Sequence, residues 1–135
     1  MNLVDSCGWL EYFADSPYAD VYAPAIEDTG TLIVPTICIL EVGKRVLAQR
    51  GEDAALQVAA VMHQGQVVPL DGHLALSAAK IGSDWKLPLA DSVILATARA
   101  HGALVWTQDA HFQVPRSRER AIYRKNGLIC LSLCI

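Results

Sequence analysis

The feature that most constrains this chain is an alternation of short apolar runs with stretches of helical spacing. Apolar runs stand at 2–4, 31–34, 66–70, 103–107 and 128–131. Each is too uniformly apolar to face water, which is the pattern of strands covered on both faces. After the first run, Trp9, Leu10, Tyr12 and Phe13 repeat at the i, i+3, i+4 spacing of an amphipathic helix. Ser16-Pro17 suits a helix start, with Ser16 as cap and Pro17 at the first helical position, carrying Tyr18, Val21, Tyr22 and Ile26 inward until Thr29-Gly30. Pro35-Thr36 opens a helix to about Arg50, Gly51 breaks it, and 52–63 reads as an Ala-rich helix. Asp71 caps a further helix through Ala79, and 90–100 forms one dense in apolar residues that stops at His101-Gly102. The segment before the fifth run reads as a polar, basic connection. Strands alternating with helices predict a three-layer α/β/α sandwich around a central parallel sheet of about five strands, a single domain over residues 1–135.

A chain of 135 residues buries roughly two-thirds of the surface it exposes when unfolded, so it can hold a core without disulfides or a structural metal. No apolar run approaches the roughly 18 residues of a membrane span, and Asp5 and Glu11 stand where a signal peptide would be apolar; the expectation is a cytoplasmic protein with no membrane contact. Cys7, Cys38, Cys130 and Cys134 form no C-x-x-C pair and have no histidine at zinc-finger spacing, so they read as small buried apolar groups. The formal net charge of -3 argues at first against a polyanionic partner. Its distribution argues otherwise. Arg116, Arg118, Arg120, Arg124 and Lys125 fall within ten residues beside one acid, Glu119, which is either a solvated surface or a phosphate-binding patch.

Four acids carry the chemistry. Asp5 follows the first strand, and Asp109 follows the fourth by way of Thr107-Gln108. In open parallel sheets ligands gather at the carboxyl ends of the strands, so both should face that crevice. Glu41 lies inside the apolar stretch 37–42 and Asp91 inside 87–95, where a lone charge is costly without a partner. Each alone has a bland explanation as a helix cap or a partner of a helix dipole. Four such acids from distant segments meeting one sheet edge favour a shared site. Crowded carboxylates need protons or a cation between them, and oxygen ligands without histidine or thiolate suit Mg²⁺ or Mn²⁺. That combination points to phosphodiester chemistry.

Asn2-Leu3-Val4-Asp5-Ser6, the helix of Glu41, Leu89-Ala90-Asp91-Ser92-Val93-Ile94-Leu95-Ala96 and Thr107-Gln108-Asp109-Ala110-His111-Phe112 together resemble the PIN-domain ribonucleases over nearly the whole chain. The short form beginning almost at the first Met is similar to VapC-type toxins of bacterial toxin-antitoxin pairs. The resemblance implies a metal-dependent endoribonuclease in which Asp5, Glu41, Asp91 and Asp109 match the family's acidic positions, and Ser6 and Thr107 its supporting polar ones. It further implies a homodimer, an RNA substrate, and inhibition by a VapB-type antitoxin that inserts near the acidic cleft.

The mechanism expected from these residues has Asp5, Asp91 and Asp109 hold Mg²⁺ or Mn²⁺ while Glu41 holds a second ion or orients the attacking water. Metal-activated water does not use the ribose 2′-hydroxyl, so the products are expected to be 5′-phosphate and 3′-hydroxyl ends. The basic cluster at 116–125, with Lys44, Lys86 and Arg99 as further candidates, would hold the RNA backbone. His63, His73, His101 and His111 are scattered and lack a paired nucleophile, so they read as structural or exposed; His111 alone is of interest, two residues after Asp109, where it could approach phosphate. Trp9 and Trp106 read as core or interface, although tryptophans can stack on bases. The aromatic face of Trp9, Leu10, Tyr12, Phe13, Tyr18 and Tyr22 serves either ordinary packing or a partner.

Two other readings compete. A receiver-like phosphoacceptor domain also gathers acids at strand ends, but it would show paired acids after the first strand and a Lys near the last; here Ser6-Cys7 follows Asp5, and strand five lacks Lys. A non-catalytic PIN-like interaction module would keep the fold and lose metal or substrate access.

Overall fold

Strand β1 (Asn2–Val4) sits inside a six-stranded sheet of order β3-β2-β1-β4-β6-β5. This computed structural model describes residues 1–109, together with the backbone of strands β5 and β6 at 119–125 and 128–133. Its elements run β1, α1 (Ser6–Phe13), α2 (Ala19–Glu27), β2 (Leu32–Pro35), α3 (Thr36–Arg50), α4 (Glu52–Met62), β3 (Gln66–Val68), α5 (Gly72–Trp85), α6 (Leu89–His101), β4 (Leu104–Thr107), β5 (Glu119–Lys125) and β6 (Leu128–Leu133). Strands β1 to β4 are mutually parallel. All four residues of β2 are buried. Because successive side chains on a strand point to opposite faces, this requires cover on both sides of the sheet, as the uniformly apolar runs predicted.

The local rules account for most boundaries. Gly51 leaves α3 at φ 86° and Gly102 leaves α6 at φ 60°, conformations that cost a residue with Cβ and cost glycine little. Asp71 caps α5 as expected, its Oδ1 accepting from Leu74 N–H at 2.8 Å. Helix α5 runs to Trp85 instead of stopping near Ala79. Its buried face continues at helical spacing through Leu74, Ala78 and Ile81, and an exposed Lys80–Asp84 pair at 2.7 Å bridges the added turn. Gly82 looks like a helix breaker in the sequence, but it is where α6 approaches: a Cβ there would collide with Ser92 Oγ. Helix α2 starts at Ala19 and not at Pro17. Ser16 Oγ accepts from Tyr18 N–H and its carbonyl from Ala19 N–H, so Ser16-Pro17 forms a turn ahead of the helix.

The sandwich stands, with one difference in the sheet. The parallel part is four strands, and the fifth expected strand, β6, pairs antiparallel with β4. The segment read as a basic connection contains β5, antiparallel to β6 with an irregularity between Ala121 and Tyr123. A strand rich in Arg, Lys and Glu reads as a loop, yet charge is what a sheet edge carries to avoid further pairing. Among the described residues no helix is long and apolar enough to cross a membrane.

Candidate active site

The strand order locates the crevice. From β1 the chain builds outward through β2 to β3, then crosses to the other side of β1 to form β4. The order reverses between β1 and β4, and the carboxyl ends of those two strands flank the point where α/β sheets bind ligands. Asp5 follows β1 at once; Asp109 lies two residues beyond β4.

Asp5 is 4% exposed and is the N-cap of α1, with extended backbone. Its carboxylate is fully engaged. Oδ1 accepts from Ser6 N–H at 2.6 Å, while Oδ2 accepts from Thr107 Oγ1 at 2.8 Å and from the Cys7 thiol at 3.4 Å. Ser6 Oγ donates to Glu41 Oε1 at 2.7 Å, which ties α1 to α3. Thr107 Oγ1 also accepts from Asp109 N–H at 2.9 Å, so this one hydroxyl joins the ends of β1 and β4. Five of the six residues expected at the site therefore form one hydrogen-bonded chain: Glu41, Ser6, Asp5, Thr107 and Asp109.

Asp91 reaches the same edge by another route. Helix α6 leads directly into β4, so its C-terminus lies at the amino edge and its first turn at the carboxyl edge. Asp91 stands in that first turn, 8% exposed, where the helix dipole favours a negative charge.

The electrostatics are those of carboxylates held out of water. Burial pushes the Asp5 carboxyl above its ordinary range, and the Glu41 charge adds to the rise; hydrogen bonds from Thr107, Ser6 N–H and Cys7 oppose it. Burial and then the Asp5 charge push the Cys7 thiol up to about 11, so it is a donor here and not a thiolate. Among the described residues no three His, Cys, Asp or Glu side chains stand as a ready ligand cage. The carboxylates nonetheless fit a hard cation of the Mg²⁺ kind, which takes one or two carboxylates and completes its shell with water and substrate phosphate.

Cys7 was read as a core filler, and the structure corrects this: it is half-buried and touches the central carboxylate. The signal available was position, since the first turn of a helix lies beside the side chain that caps it. Cys38 is fully buried as expected; Cys134 lies outside the described residues. Histidines behave as expected where described: the Nδ1–H of His63 and of His101 each donate to a carbonyl one turn back. Trp9 is fully buried, and Trp106 donates from Nε1 to Asn2 Oδ1 at 3.0 Å.

The aromatic face is largely internal. Trp9 and Tyr22 are buried, Trp9 stacks on Phe13 at 5.6 Å, and Tyr18 alone of the set is exposed. The exposed apolar surface is instead leucine: Leu40 and Leu47 on α3, with Leu56, Leu70, Leu76 and Leu89. Between α3, α5 and α6 lies an apolar cavity of about 380 Å³, lined by Ile37, Leu70, Ala78, Leu87, Leu89 and Val93. Of the basic candidates, Arg116 and Arg118 lie outside the described residues, as does His111. Arg120, Arg124 and Lys125 fall on β5, the outer strand of the sheet. Lys44 is exposed on α3, and Lys86 caps α5 in the left-handed region at φ 52°. Arg99 stands in the last turn of α6, at the opposite end from Asp91, so it is not a neighbour of the acids.

Known folds resemble this one closely. A toxin-antitoxin complex from Klebsiella pneumoniae contains a chain similar at TM-score 0.72 and 18% identity, over 84% of this chain and 91% of that one. VapC20 of Mycobacterium tuberculosis, described as a sarcin-ricin loop cleaving toxin, is similar at TM-score 0.62 and 16% identity, over 76% and 85%. FitAcB of Neisseria gonorrhoeae is similar at 0.68 and 22%, over 82% and 89%. No curated protein sequence matches the chain. The family model described as PIN domain covers residues 3–116, spanning every acid of the crevice, and with the strand reversal at β1 and β4 this establishes that the chain belongs to the PIN-domain family.

Proposed function

We propose that this chain is a Mg²⁺- or Mn²⁺-dependent endoribonuclease, the toxin of a toxin-antitoxin pair, acting as one domain over residues 1–135 and as a homodimer in the cytoplasm. The observation that carries the reading is the buried Asp5 carboxylate, held by Ser6, Cys7 and Thr107 and joined through Ser6 to Glu41. A cluster of acids at a strand crossover gains little as structure, because burial and mutual repulsion both disfavour the charged forms. It gains a great deal when a cation is shared.

Asp5, Asp91, Asp109 and Glu41 would hold the metal, which when bound lowers the pKa of water and screens charge on the phosphoryl oxygens. Thr107 and Ser6 fix the carboxylate orientations. Glu41, half-buried, would hold a second ion or orient the attacking water. Attack on phosphorus leaves 5′-phosphate and 3′-hydroxyl ends, and cyclic phosphate ends in the product would contradict it. The cations from Arg116 to Lys125, with Arg118, Arg120 and Arg124 between, are assigned to the RNA backbone.

Related folds support the biology: one neighbour is described as a toxin that cleaves the sarcin-ricin loop, and others are toxin-antitoxin assemblies. A VapB-type antitoxin and a second copy of the chain are the partners proposed. The exposed leucines of α3, seven residues apart at Leu40 and Leu47, and the cavity beside Leu89 provide apolar surface for them. The test is cleavage of purified RNA with Mg²⁺ or Mn²⁺ by the native chain, Asp5→Asn and Asp91→Asn. Activity confined to the native chain and abolished by chelation is expected; equal activity in all three rejects the enzyme. The lack of a ready ligand cage among the described residues favours one alternative, a non-catalytic interaction module, which predicts no cleavage and no Mn²⁺ binding.

A further inference from the structure

Divalent cations differ in how they take a carboxylate. Mg²⁺ demands near-ideal octahedral geometry and keeps several waters, whereas the larger Ca²⁺ gathers about six to eight oxygens and accepts a carboxylate through both of its oxygens at once. Which mode Asp5 can offer depends on the donors already on it. An ionised carboxylate has about four acceptor sites, shared between its two oxygens. Among the described residues three donors occupy Asp5: Ser6 N–H on Oδ1 at 2.6 Å, and on Oδ2 the Thr107 hydroxyl at 2.8 Å and the Cys7 thiol at 3.4 Å. Oδ2 is therefore filled, and Oδ1 alone keeps an open site.

The donors are not equivalent. Ser6 N–H belongs to the capped start of α1, and Thr107 Oγ1 joins the ends of β1 and β4, so both contacts serve the fold as well as the carboxylate. Cys7, half-buried in the first turn of α1, has one other acceptor near its thiol, Thr107 Oγ1 at 3.7 Å. That oxygen is farther and uncharged, and it already accepts from Asp109 N–H at 2.9 Å; Asp5 Oδ2 is the better acceptor on distance and on charge. We propose that Cys7 determines which metal the crevice admits: by occupying Oδ2, its thiol confines Asp5 to binding through Oδ1, a mode that suits Mg²⁺ and Mn²⁺ and disfavours Ca²⁺. Cys7 acts through Asp5 and does not touch the ion, and its hydrogen stays on sulfur throughout. The inference rests on the metal-binding reading of Asp5 and names the ions that site selects.

Calorimetric titration of the full chain with Mn²⁺ alone and with Ca²⁺ alone tests it. The native chain is expected to bind Mn²⁺ the more tightly. Cys7→Ala opens a site on Oδ2 and should move the ratio of the two affinities toward Ca²⁺ by about 10-fold, the lower end of what a donor to a metal ligand is worth. Cys7→Ser keeps a donor at the same place and should restore the native ratio. The ratio is the telling quantity, because a variant that merely loosened the packing of α1 would weaken both ions together. An unmoved ratio in Cys7→Ala, or a Cys7→Ser ratio that matches Cys7→Ala, overturns the proposal. If the native chain prefers Mn²⁺ and the ratio does not move, only this inference falls; if the native chain binds neither ion, the metal-dependent function falls with it.

Discussion

The crevice between β1 and β4 and the groove between α5 and α6 are opposites. In the crevice, polar groups are buried and matched: Asp5, Ser6 and Thr107 are each under 9% exposed and each hydrogen-bonded. In the groove, apolar groups are left in the open, with Leu89 at 85% and Leu70 at 44% exposed. Burying polar groups and exposing apolar ones both run against the driving forces of folding. Under the proposed function something outside the fold would complete each of them: a cation and phosphate in the first case, apolar protein surface in the second.

The contrast breaks most severely at Asp5. Asp5→Asn keeps an acceptor for Ser6 N–H and removes the charge, so RNA cleavage should fall at least about 100-fold, the scale seen when a preorganised electrostatic group is lost, while the fold persists by circular dichroism. Thr107→Val comes next. It removes the donor to Asp5 and the acceptor of Asp109 N–H together, and should lower activity about 10- to 100-fold, as loss of a group that orients metal ligands does, and stability by about 1–3 kcal/mol in denaturant titrations.

In the groove the order of effects reverses. Gly82→Ala forces α5 and α6 apart against Ser92 and should cost about 1–3 kcal/mol of stability with Mn²⁺ affinity retained; a matching loss of affinity would show that the two regions are coupled. A pH series sharpens the comparison further. Asp5 has its folded pKa raised above the ordinary 3.8, so the folded chain holds this proton more tightly than the unfolded chain. The stabilisation is fully present below the ordinary value and is lost as pH rises through the raised one. The thermal midpoint of the metal-free native chain, measured relative to Asp5→Asn, should therefore decline as pH rises through that window, and Mg²⁺ should offset the decline. Smallest of all, Leu47→Ser on exposed α3 should change chain stability by no more than about 0.5 kcal/mol and show itself in weaker self-association by sedimentation.

How much of this was legible in the chain follows the range of the interactions involved. Asp5 is at once an N-cap and a buried carboxylate of the crevice, so the bland reading holds and the proposed function finds its acid at the same place; a cap favours a polar acceptor at the strand end, which is also where a ligand site lies. Asp91 was legible because a charge in an apolar helix start needs a reason. Cys7 was not, because a cysteine beside apolar residues looks the same whether it packs or donates. Strand β5 was missed because charge on an edge strand and charge on a loop are the same letters.

By itself, then, the order of residues determined the period of each segment, the caps that end α3 and α6, and the placing of acids just past apolar runs, since these depend on neighbours within a turn or two. Only the tertiary structure decided that β4 returns to the far side of β1, that β6 turns antiparallel, that Gly82 serves as a seat for α6, and that the Tyr22 ring packs against Gly8. Those are choices among surfaces distant in the chain, decided by which faces can be covered together and which buried polar atoms can be satisfied. No local preference of the residues concerned records them.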